Sequence, residues 1–243
     1  SIRARAKMVR GAQARYYRAM PSKGSRIVMF RFCIVLALLA AALVACGARP
    51  SMDYRTGDVL LEDDFSRAFA WTSYDSPERG VFYGVDEGVY RIRAAGGSYI
   101  SGTNAQMHDD VVIEVYSSQL SDDDNNAYGV VCRGDPAGSG EGYYFLISGD
   151  GYWSIRRAQG RRVTSLRDFA RAEAIHQGRS LNLLRVVCIG DYLALYVNDE
   201  FVGEARDRTF STGFAGFVAV APEGSFVEVA FDNLRILEGR LVE

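Results

Sequence analysis

From residue 59 onward, hydrophobic and polar positions alternate in short runs that are separated by clusters of Gly, Asp and Asn. This pattern is typical of β-strands joined by tight turns, and it predicts an all-β, antiparallel β-sandwich. Residues 165–176, which contain several Arg and Ala, are expected to form a long loop with one turn of helix. No repeat is visible at solenoid or propeller spacing. Strands are predicted at residues 111–116, 143–147, 152–156, 183–189, 192–197, 200–202, 214–220 and 226–236.

Side chains alternate between the two faces of a strand, so the positions of the central strands divide into two sets. One set is apolar and is predicted to face the core: Val130, Cys132, Phe145, Ile147, Trp153, Ile155, Leu184, Val186, Cys188, Leu193, Leu195 and Val197. The other set is rich in Tyr and Arg and is predicted to form one solvated face, here named the Tyr/Arg face: Arg133, Tyr144, Leu146, Tyr152, Ser154, Arg156, Arg185, Tyr192 and Tyr196.

An almost unbroken apolar run covers residues 33–44 and follows Arg31 and other basic residues. The run has the length of a signal-peptide core and is shorter than the roughly 20 residues that cross a bilayer. It ends in the sequence LVAC at residues 43–46, which resembles the lipobox of bacterial lipoproteins. The resemblance implies that Cys46 is lipidated and that the chain is anchored to the extracytoplasmic face of the bacterial cell membrane. The alternative is an uncleaved signal anchor with an incidental cysteine.

These features divide the chain into five parts. Met29 opens a signal peptide by itself, so the residues before it are expected to be an over-extended gene start. The predicted parts are the over-extended start at residues 1–28, the signal peptide at residues 29–45, a lipidated tether at residues 46–58, the sandwich at residues 59–238 and a tail at residues 239–243.

Charge is distributed unevenly along the chain. The 243 residues include 28 Lys and Arg and 30 Asp and Glu, but nine of the basic residues precede Cys46 and every acidic residue follows it. The part that follows the leader therefore carries a net charge of −11. Nucleic-acid binding needs clustered basic charge, so nucleic acid is excluded as an expected partner.

Two cysteines, Cys132 and Cys188, remain after the leader and the lipidation position are set aside. Both lie at core positions of central strands, and each is followed closely by Gly-Asp, which places them at comparable strand ends. Leftover cysteines outside the cytoplasm often pair, so a disulfide is predicted here. Two separate buried thiols are the alternative.

Several segments, taken in order, resemble the concanavalin A-like lectin/glucanase jelly rolls in their bacterial lipoprotein form. The resemblance covers residues 59–238, and it implies an antiparallel jelly-roll sandwich without fixing the activity. Such jelly rolls include laminin G-like modules, glycan-binding modules, glucanases and the 3-keto-disaccharide hydrolase domain. The segments are LEDDFS at residues 61–66, GVYRI at 88–92, YGVVCR at 128–133, YYFLISGDG at 143–151, NLL at 182–184, LYVN at 195–198 and FDN at 231–233.

A glucanase of this type carries Glu-x-Asp-x-x-Glu on one strand, which places its carboxylates on the same face. The nearest strand here offers Asp110 and Glu114, which lie about 13 Å apart along an extended chain. Retaining hydrolysis needs about 5 Å between the carboxylates and inverting hydrolysis at most about 9.5 Å. The sequence therefore disfavours a glucanase.

Two groups of residues are candidate binding sites. Asp63, Asp64 and Asp232 fall in the first and last strands, where related sandwiches often hold calcium, so a structural calcium ion is one hypothesis. Hydrogen bonding of these carboxylates to turn backbone is the alternative. Tyrosine rings stack on sugar rings and arginines bridge hydroxyl groups, so the Tyr/Arg face is a candidate glycan site. Ordinary cross-strand packing on a solvated sheet is its alternative. The candidate glycan-binding residues are Arg133, Tyr144, Tyr152, Arg156, Arg185 and Tyr196.

Three functions remain open. The first is a surface-anchored lipoprotein with a non-catalytic sandwich that binds a glycan or a cell-envelope polymer. The second is a glycoside hydrolase or lyase acting on modified disaccharides, in the manner of the 3-keto-disaccharide hydrolases. The third is a structural or protein-interaction lipoprotein. A concave groove lined by tyrosines favours the first, convergent carboxylates or His176 in a deep pocket favour the second, and a blocked face favours the third.

Overall fold

The computed structural model describes residues 49–67 and 70–242, and it is built almost entirely from antiparallel strands. One short 3-10 helix, η1, covers Pro77–Arg79. The strands are β1 (Tyr54–Asp63), β2 (Tyr74–Ser76), β3 (Val81–Asp86), β4 (Val89–Ala95), β5 (Ile100–His108), β6 (Val111–Gln119), β7 (Ala127–Gly134), β8 (Gly142–Ile147), β9 (Tyr152–Gln159), β10 (Arg162–Arg171), β11 (Leu181–Ile189), β12 (Tyr192–Val197), β13 (Glu200–Arg206), β14 (Gly213–Val220) and β15 (Phe226–Leu241).

The strands form two sheets. The nine-stranded sheet has the order β13-β12-β11-β6-β15-β4-β3-β2, with β1 paired to the second half of β15. The six-stranded sheet has the order β10-β9-β8-β7-β14-β5. Strands that are adjacent in a sheet are often distant in sequence, as for β14 between β5 and β7. The two sheets pack face to face, so the all-β sandwich predicted from the sequence is confirmed.

The core lies between the two sheets, and it contains every residue of the apolar set predicted from strand alternation. At one end of this core, Phe217 of β14 stacks on Phe231 of β15 with ring centroids 4.2 Å apart, and on Trp71 at 5.3 Å. Because Phe217 and Phe231 belong to different sheets, this aromatic stack joins the layers. Aromatic contacts of this kind add about 0.5–1.5 kcal/mol beyond the burial of apolar area.

A disulfide joins Cys132 of β7 to Cys188 of β11, with their Cα atoms 6.8 Å apart. These strands lie in opposite sheets, so the bond crosses the core and ties the layers together. The disulfide predicted from the positions of the two cysteines is confirmed.

The helical turn expected within residues 165–176 is wrong, because Arg162–Arg171 form strand β10. Among the described strands it pairs with β9 alone, and its register shifts between Ser165 and Arg167 and again between Arg167 and Ala170. Each bulge interrupts the alternation of side chains, so the segment has no period of two from which a strand would be recognised.

The sandwich extends beyond the predicted boundaries at both ends, since β1 begins at Tyr54 and β15 ends at Leu241. Part of the predicted tether is therefore a strand. Cys46 and the predicted signal peptide lie outside the described residues. Within the part of the chain that the structure describes, no helix is long and apolar enough to cross a membrane.

Candidate functional site

The outward face of the six-stranded sheet carries a cleft that is lined by aromatic side chains. The strand register explains its position. Tyr128 pairs with Ile147, and Ile147 pairs with Trp153, all three facing the core. The residues one step nearer the strand ends therefore face outward in a row that crosses the sheet. This row includes Ala127 and Tyr152.

The cleft at this row has a volume of about 520 Å³ and is open to solvent. Tyr99, Tyr152 and Phe169 supply its aromatic surface. Phe169 is 42 % exposed, which is unusual for a phenylalanine on a folded domain. An apolar surface of this size with a few fixed polar groups is the usual composition of a small-ligand site. The full lining is Gly97, Tyr99, Asn125, Asn126, Ala127, Ser148, Asp150, Tyr152, Phe169, Val220, Ala221 and Pro222.

The turn between β8 and β9 fixes the polar groups at one side of the cleft. Ser148 bonds through its hydroxyl to the Asp150 carboxylate, and the same Ser148 Oγ accepts the backbone N–H of Tyr152 at 3.1 Å. These two bonds fix the position of the Asp150 carboxylate relative to the backbone of Tyr152. The turn therefore presents an acceptor next to an aromatic ring.

The loop between β6 and β7 supplies carboxamides on the other side. Asn126 donates through Nδ2 to the Gln119 side chain at 3.0 Å and to the Asp123 carbonyl at 2.6 Å. Asn126 Oδ1 accepts the backbone N–H of Gly149 at 3.3 Å, which links this loop to the β8–β9 turn. Asn125 lies beside it and is exposed. The acidic loop at residues 122–126 is therefore held in place by its own hydrogen bonds.

Arg156 lies next to the cleft at its β10 side. Its guanidinium carbon is 4.7 Å from the centroid of the Phe169 ring, and its Nε donates to Ser154 Oγ at 3.1 Å. The cation therefore supports Phe169 by contact with the ring face, a stabilising arrangement for an exposed aromatic side chain.

The six residues predicted to bind glycan do not share one face, because they belong to two sheets. Tyr152 lines the cleft and Arg156 adjoins it. Tyr144 is on the same outward face but is 2 % exposed, since the Tyr99 ring lies 5.7 Å away and its hydroxyl bonds to the Gly140 carbonyl. Tyr144 therefore packs beside Tyr99 and is not among the residues that line the cleft.

Arg133 has a structural role at the opposite end of the sandwich. Its backbone adopts a left-handed conformation with φ of 53°, which turns the side chain inward. The guanidinium donates to the carbonyls of Gly190 and Phe210, both at 2.8 Å, and to Asp110 Oδ1 at 2.9 Å. Burial lowers the pKa of Arg133, and the charge of Asp110 opposes that change. The prediction that Arg133 faces solvent is wrong, because its backbone departs from regular strand geometry.

Arg185 and Tyr196 lie on the outward face of the nine-stranded sheet, on β11 and β12. Arg185 bonds to Glu114 at 2.7 Å and to Asp199 at 2.5 Å. Burial opposes the charge of Arg185, but these carboxylates outweigh it and raise the pKa of the guanidinium. Tyr196 packs edge-on against Tyr54 at 6.0 Å. Arg185 is thus engaged by ion pairs and Tyr196 by ring packing, both on the outward side of the nine-stranded sheet.

Each of the three predicted calcium ligands is engaged by local hydrogen bonds. Asp63 accepts the backbone N–H of Phe65 at 2.8 Å and the indole N–H of Trp71 at 2.7 Å. Asp64 accepts the backbone N–H two residues further along, and Asp232 accepts that of the following residue. The described residues hold no group of three His, Cys, Asp or Glu side chains arranged for a metal ion. Calcium at this seam stays a prediction without support from the geometry.

Asp110 and Glu114, the two carboxylates of the strand that resembles the glucanase motif strand, do not line the cleft. Asp110 accepts from Arg133 and from the backbone N–H of Gly190, the latter at 2.7 Å. Glu114 lies on the nine-stranded sheet between Arg185 and Arg235. Both carboxylates therefore have structural partners.

Sequence reasoning missed Tyr99, Phe169, Asn125, Asn126 and Asp150 as cleft residues. Tyr99 follows Gly96-Gly97, a turn signal between two strands, so its place beside a sheet end had a visible indication. The sequence gives no such indication for Phe169, because the two bulges of β10 remove the alternation of side chains around it.

No protein-family model matches the chain, and no curated protein matches it. Several solved structures are similar to the chain. The chain is similar to a carbohydrate-binding module from Bacillus subtilis, at 16% identity over 70% of this chain and 95% of that one, with a TM-score of 0.54. It is similar to a Bacillus subtilis protein of unknown function with a galectin-like fold, at 11% identity over 77% and 99%, with a TM-score of 0.57. A Bacillus licheniformis β-glucanase matches at 11% identity over 76% and 100%, with a TM-score of 0.54. The described residues therefore have the fold of the concanavalin A-like jelly rolls.

Proposed function

We propose that this sandwich is a non-catalytic glycan-binding domain and that its site is the cleft on the six-stranded sheet. One observation carries the proposal: Tyr99, Tyr152 and Phe169 meet carboxamide, hydroxyl and carboxylate groups in a single open cleft. Aromatic rings bind the apolar faces of sugars, and the polar groups accept and donate hydrogen bonds to hydroxyls. The carbohydrate-binding module and the glucanase among the similar folds support this use of the fold.

Binding is favoured over hydrolysis by the charged groups around the cleft. Hydrolysis by the usual routes needs two carboxylates, one acting as acid and one as base or nucleophile. Among the described residues that line the cleft, Asp150 alone bears a carboxylate, and it is bonded to Ser148. A hydrolase on modified disaccharides therefore has weaker support than a binding domain.

The expected ligand is a glycan without acidic groups. The described lining contains no Lys or Arg, and the neighbouring Arg156 lies over Phe169. Asp150 in the cleft, together with the acidic loop at residues 122–124, repels negatively charged ligands. Sugars that carry carboxylate or sulfate groups are therefore disfavoured.

Binding is tested on the domain over residues 48–243, which forms a compact unit with its own core. A glycan array that contains neutral and acidic glycans identifies the ligand, and calorimetry then compares Tyr152→Ala with Tyr116→Ala. Tyr116 is 40 % exposed on the nine-stranded sheet, so it is a matched control. We expect Tyr152→Ala to weaken binding about tenfold, equivalent to about 1.4 kcal/mol, and Tyr116→Ala to leave it unchanged. If no glycan on the array bound, or if both variants bound equally well, the proposal would be contradicted.

We further propose that the domain works outside the cytoplasm, attached to the bacterial membrane through lipid on Cys46. The Cys132–Cys188 disulfide supports an oxidising location, where such bonds persist. Metabolic labelling with palmitate tests the anchor directly. The label should enter the full chain and should be absent from Cys46→Ala. A chain that is equally labelled after this substitution, or never labelled, would refute the anchor.

A further inference from the structure

The cleft on the six-stranded sheet contains a carboxylate that the protein itself does not neutralise. Among the described residues that line the cleft, Asp150 alone carries a charge. Its carboxylate accepts the Ser148 hydroxyl, which leaves free acceptor positions, because two carboxylate oxygens together accept about four hydrogen bonds. Asp191 and Asp207 each pair with an arginine, whereas the described part of the chain supplies no such partner for Asp150. A cationic group of a ligand fits this position.

Further acidic side chains lie on the connections next to the cleft. Aspartates occupy residues 122–124 of the β6–β7 loop, and only Asp122 has an arginine partner within the described chain, Arg179 at 3.0 Å. A side-chain hydrogen bond fixes this loop to the β14–β15 connection, which contributes Glu223. Surface charges act over about 10 Å at an ionic strength of about 0.1 M. The acidic groups on both connections therefore favour a positively charged ligand over a negatively charged one.

The basic side chains beside the cleft belong to the β9–β10 hairpin. Arg156 contacts the Phe169 ring at 4.7 Å, and Arg171 is the partner of Tyr152 in the strand register. Neither arginine lines the cleft. The Arg156 contact shows that an aromatic face in this cleft holds a cation. Because Arg156 already uses Phe169, the rings of Tyr99 and Tyr152 are the ones left for a cationic ligand.

A protonated amine on a sugar ring satisfies both the carboxylate and the aromatic rings. The ammonium group donates hydrogen bonds to the carboxylate, and such charge-assisted bonds are about twice as strong as neutral ones. The apolar face of the same sugar packs on a tyrosine ring, whose π-system also attracts the cation. A hydroxyl or an acetamide at the same position offers a donor without the charge. The cleft should therefore distinguish an amino sugar from its neutral counterparts.

We propose that the cleft binds a glycan that carries unacetylated amino sugars, with an ammonium group at Asp150 and the ring of the same sugar on Tyr152. This inference rests on the proposed function and adds the chemical class of the ligand. Asn125 lines the cleft and offers its carboxamide to the remaining hydroxyls. The selectivity comes from charge, so it weakens as the ionic strength rises.

Three probes that share a β-1,4-linked backbone and differ in the C2 substituent test the inference: the trisaccharides of glucosamine, N-acetylglucosamine and glucose. Calorimetry on the domain over residues 48–243 compares their affinities at about pH 6, where amino sugars are protonated. The glucosamine trisaccharide should bind about tenfold more tightly than the other two. Raising the ionic strength from about 0.05 M to about 0.5 M should reduce this preference to roughly twofold.

Two isosteric variants separate the local carboxylate from the overall charge of the domain. Asp150→Asn should bring the ratio of glucosamine to glucose affinity to about one, whereas Asp58→Asn should keep it at about ten. Asp58 lies on β1 of the nine-stranded sheet, so its variant removes the same charge from the other sheet. Thermal unfolding establishes that both variants fold, and the salt dependence of the wild type tests the role of charge without any substitution.

The outcomes separate the inference from the proposed function. Equal affinity for the three trisaccharides, or an unchanged ratio in Asp150→Asn, would overturn the amino-sugar ligand and leave the glycan-binding cleft standing. If none of the three bound while the array identified a glycan without amines, only the proposed function would survive. An amine-bearing glycan of another linkage on the array would be compared with its acetylated form, and a tenfold preference for the amine would support the inference. An array on which nothing bound would overturn both.

Discussion

Removal of the Cys132–Cys188 disulfide gives a prediction whose magnitude follows from the structure. The bond closes a loop with a sequence separation of 56 residues and joins the two sheets through the core. Loop-closure entropy for a ring of this size contributes about 4 kcal/mol to the free energy of unfolding. With a urea m value of about 2–3 kcal/mol/M, the unfolding midpoint should fall by roughly 1.3–2 M.

The assay is urea denaturation followed by tryptophan fluorescence, since Trp71 and Trp153 both pack on the core. Two perturbations are compared: the wild-type domain reduced by a strong reductant, and the double variant Cys132→Ala/Cys188→Ala. The reduced form keeps both sulfur atoms, so it isolates the effect of the bond from that of the space that alanine leaves. Thiol titration of the unfolded protein establishes the redox state. Oxidised and reduced midpoints within about 0.3 M of each other would refute the reasoning.

Three further substitutions, one of them with a matched control, test the packing and the electrostatics. Arg133→Met removes buried hydrogen bonds and should lower the free energy of unfolding by about 2–3 kcal/mol. The exposed control Arg93→Met should lower it by less than about 0.5 kcal/mol. Equal losses in denaturant unfolding would show that Arg133 does not have the structural role assigned to it. Burial opposes ionisation of Asp207, but hydrogen bonds and a nearby guanidinium outweigh it and lower its pKa. The stabilisation by the Asp207 carboxylate is complete above the ordinary carboxyl pKa of about 4 and is lost as pH falls through the lower pKa of the folded state. Asp207→Asn should therefore destabilise the domain at pH 7 and should lose less further stability on acidification than the wild type. The same loss of unfolding free energy between pH 7 and pH 3 in both proteins would contradict this. A Cβ on Gly203 would overlap the Trp153 indole, so Gly203→Ala should cost about 1–3 kcal/mol, and a wild-type melting temperature would show that the ring moves freely.

The core could be predicted from the sequence because strand alternation is a local property. Cys132, Phe145, Trp153 and Leu195 all fall where a period of two places them, and all are buried. The same alternation does not tell which sheet a strand joins. The β8–β9 and β11–β12 hairpins look alike in sequence, yet the first belongs to the six-stranded sheet and the second pairs through β11 with β6.

That ambiguity explains why the candidate site was only partly predicted. Tyr152 and Arg185 have the same outward parity, but they lie on opposite sides of the sandwich because long-range pairing separates their hairpins. Arg133 was misplaced for a different reason, since its left-handed backbone turns the side chain toward the core. Phe169 was missed because bulges removed the alternation around it. In each case the deciding interaction is distant in sequence or departs from regular strand geometry.

The position of the two ends of the described chain has a practical consequence. Met52 and Tyr54, together with Leu241 at the other end of β15, pack on the outward side of the nine-stranded sheet against Val112 and Tyr192. The cleft opens on the opposite sheet. Both ends of the described domain therefore lie on the outward side of the nine-stranded sheet, away from the cleft. Coupled to a sensor chip or a bead through either end, the protein should present its aromatic groove to the solution, so surface-based affinity measurements need no redesign of the fold.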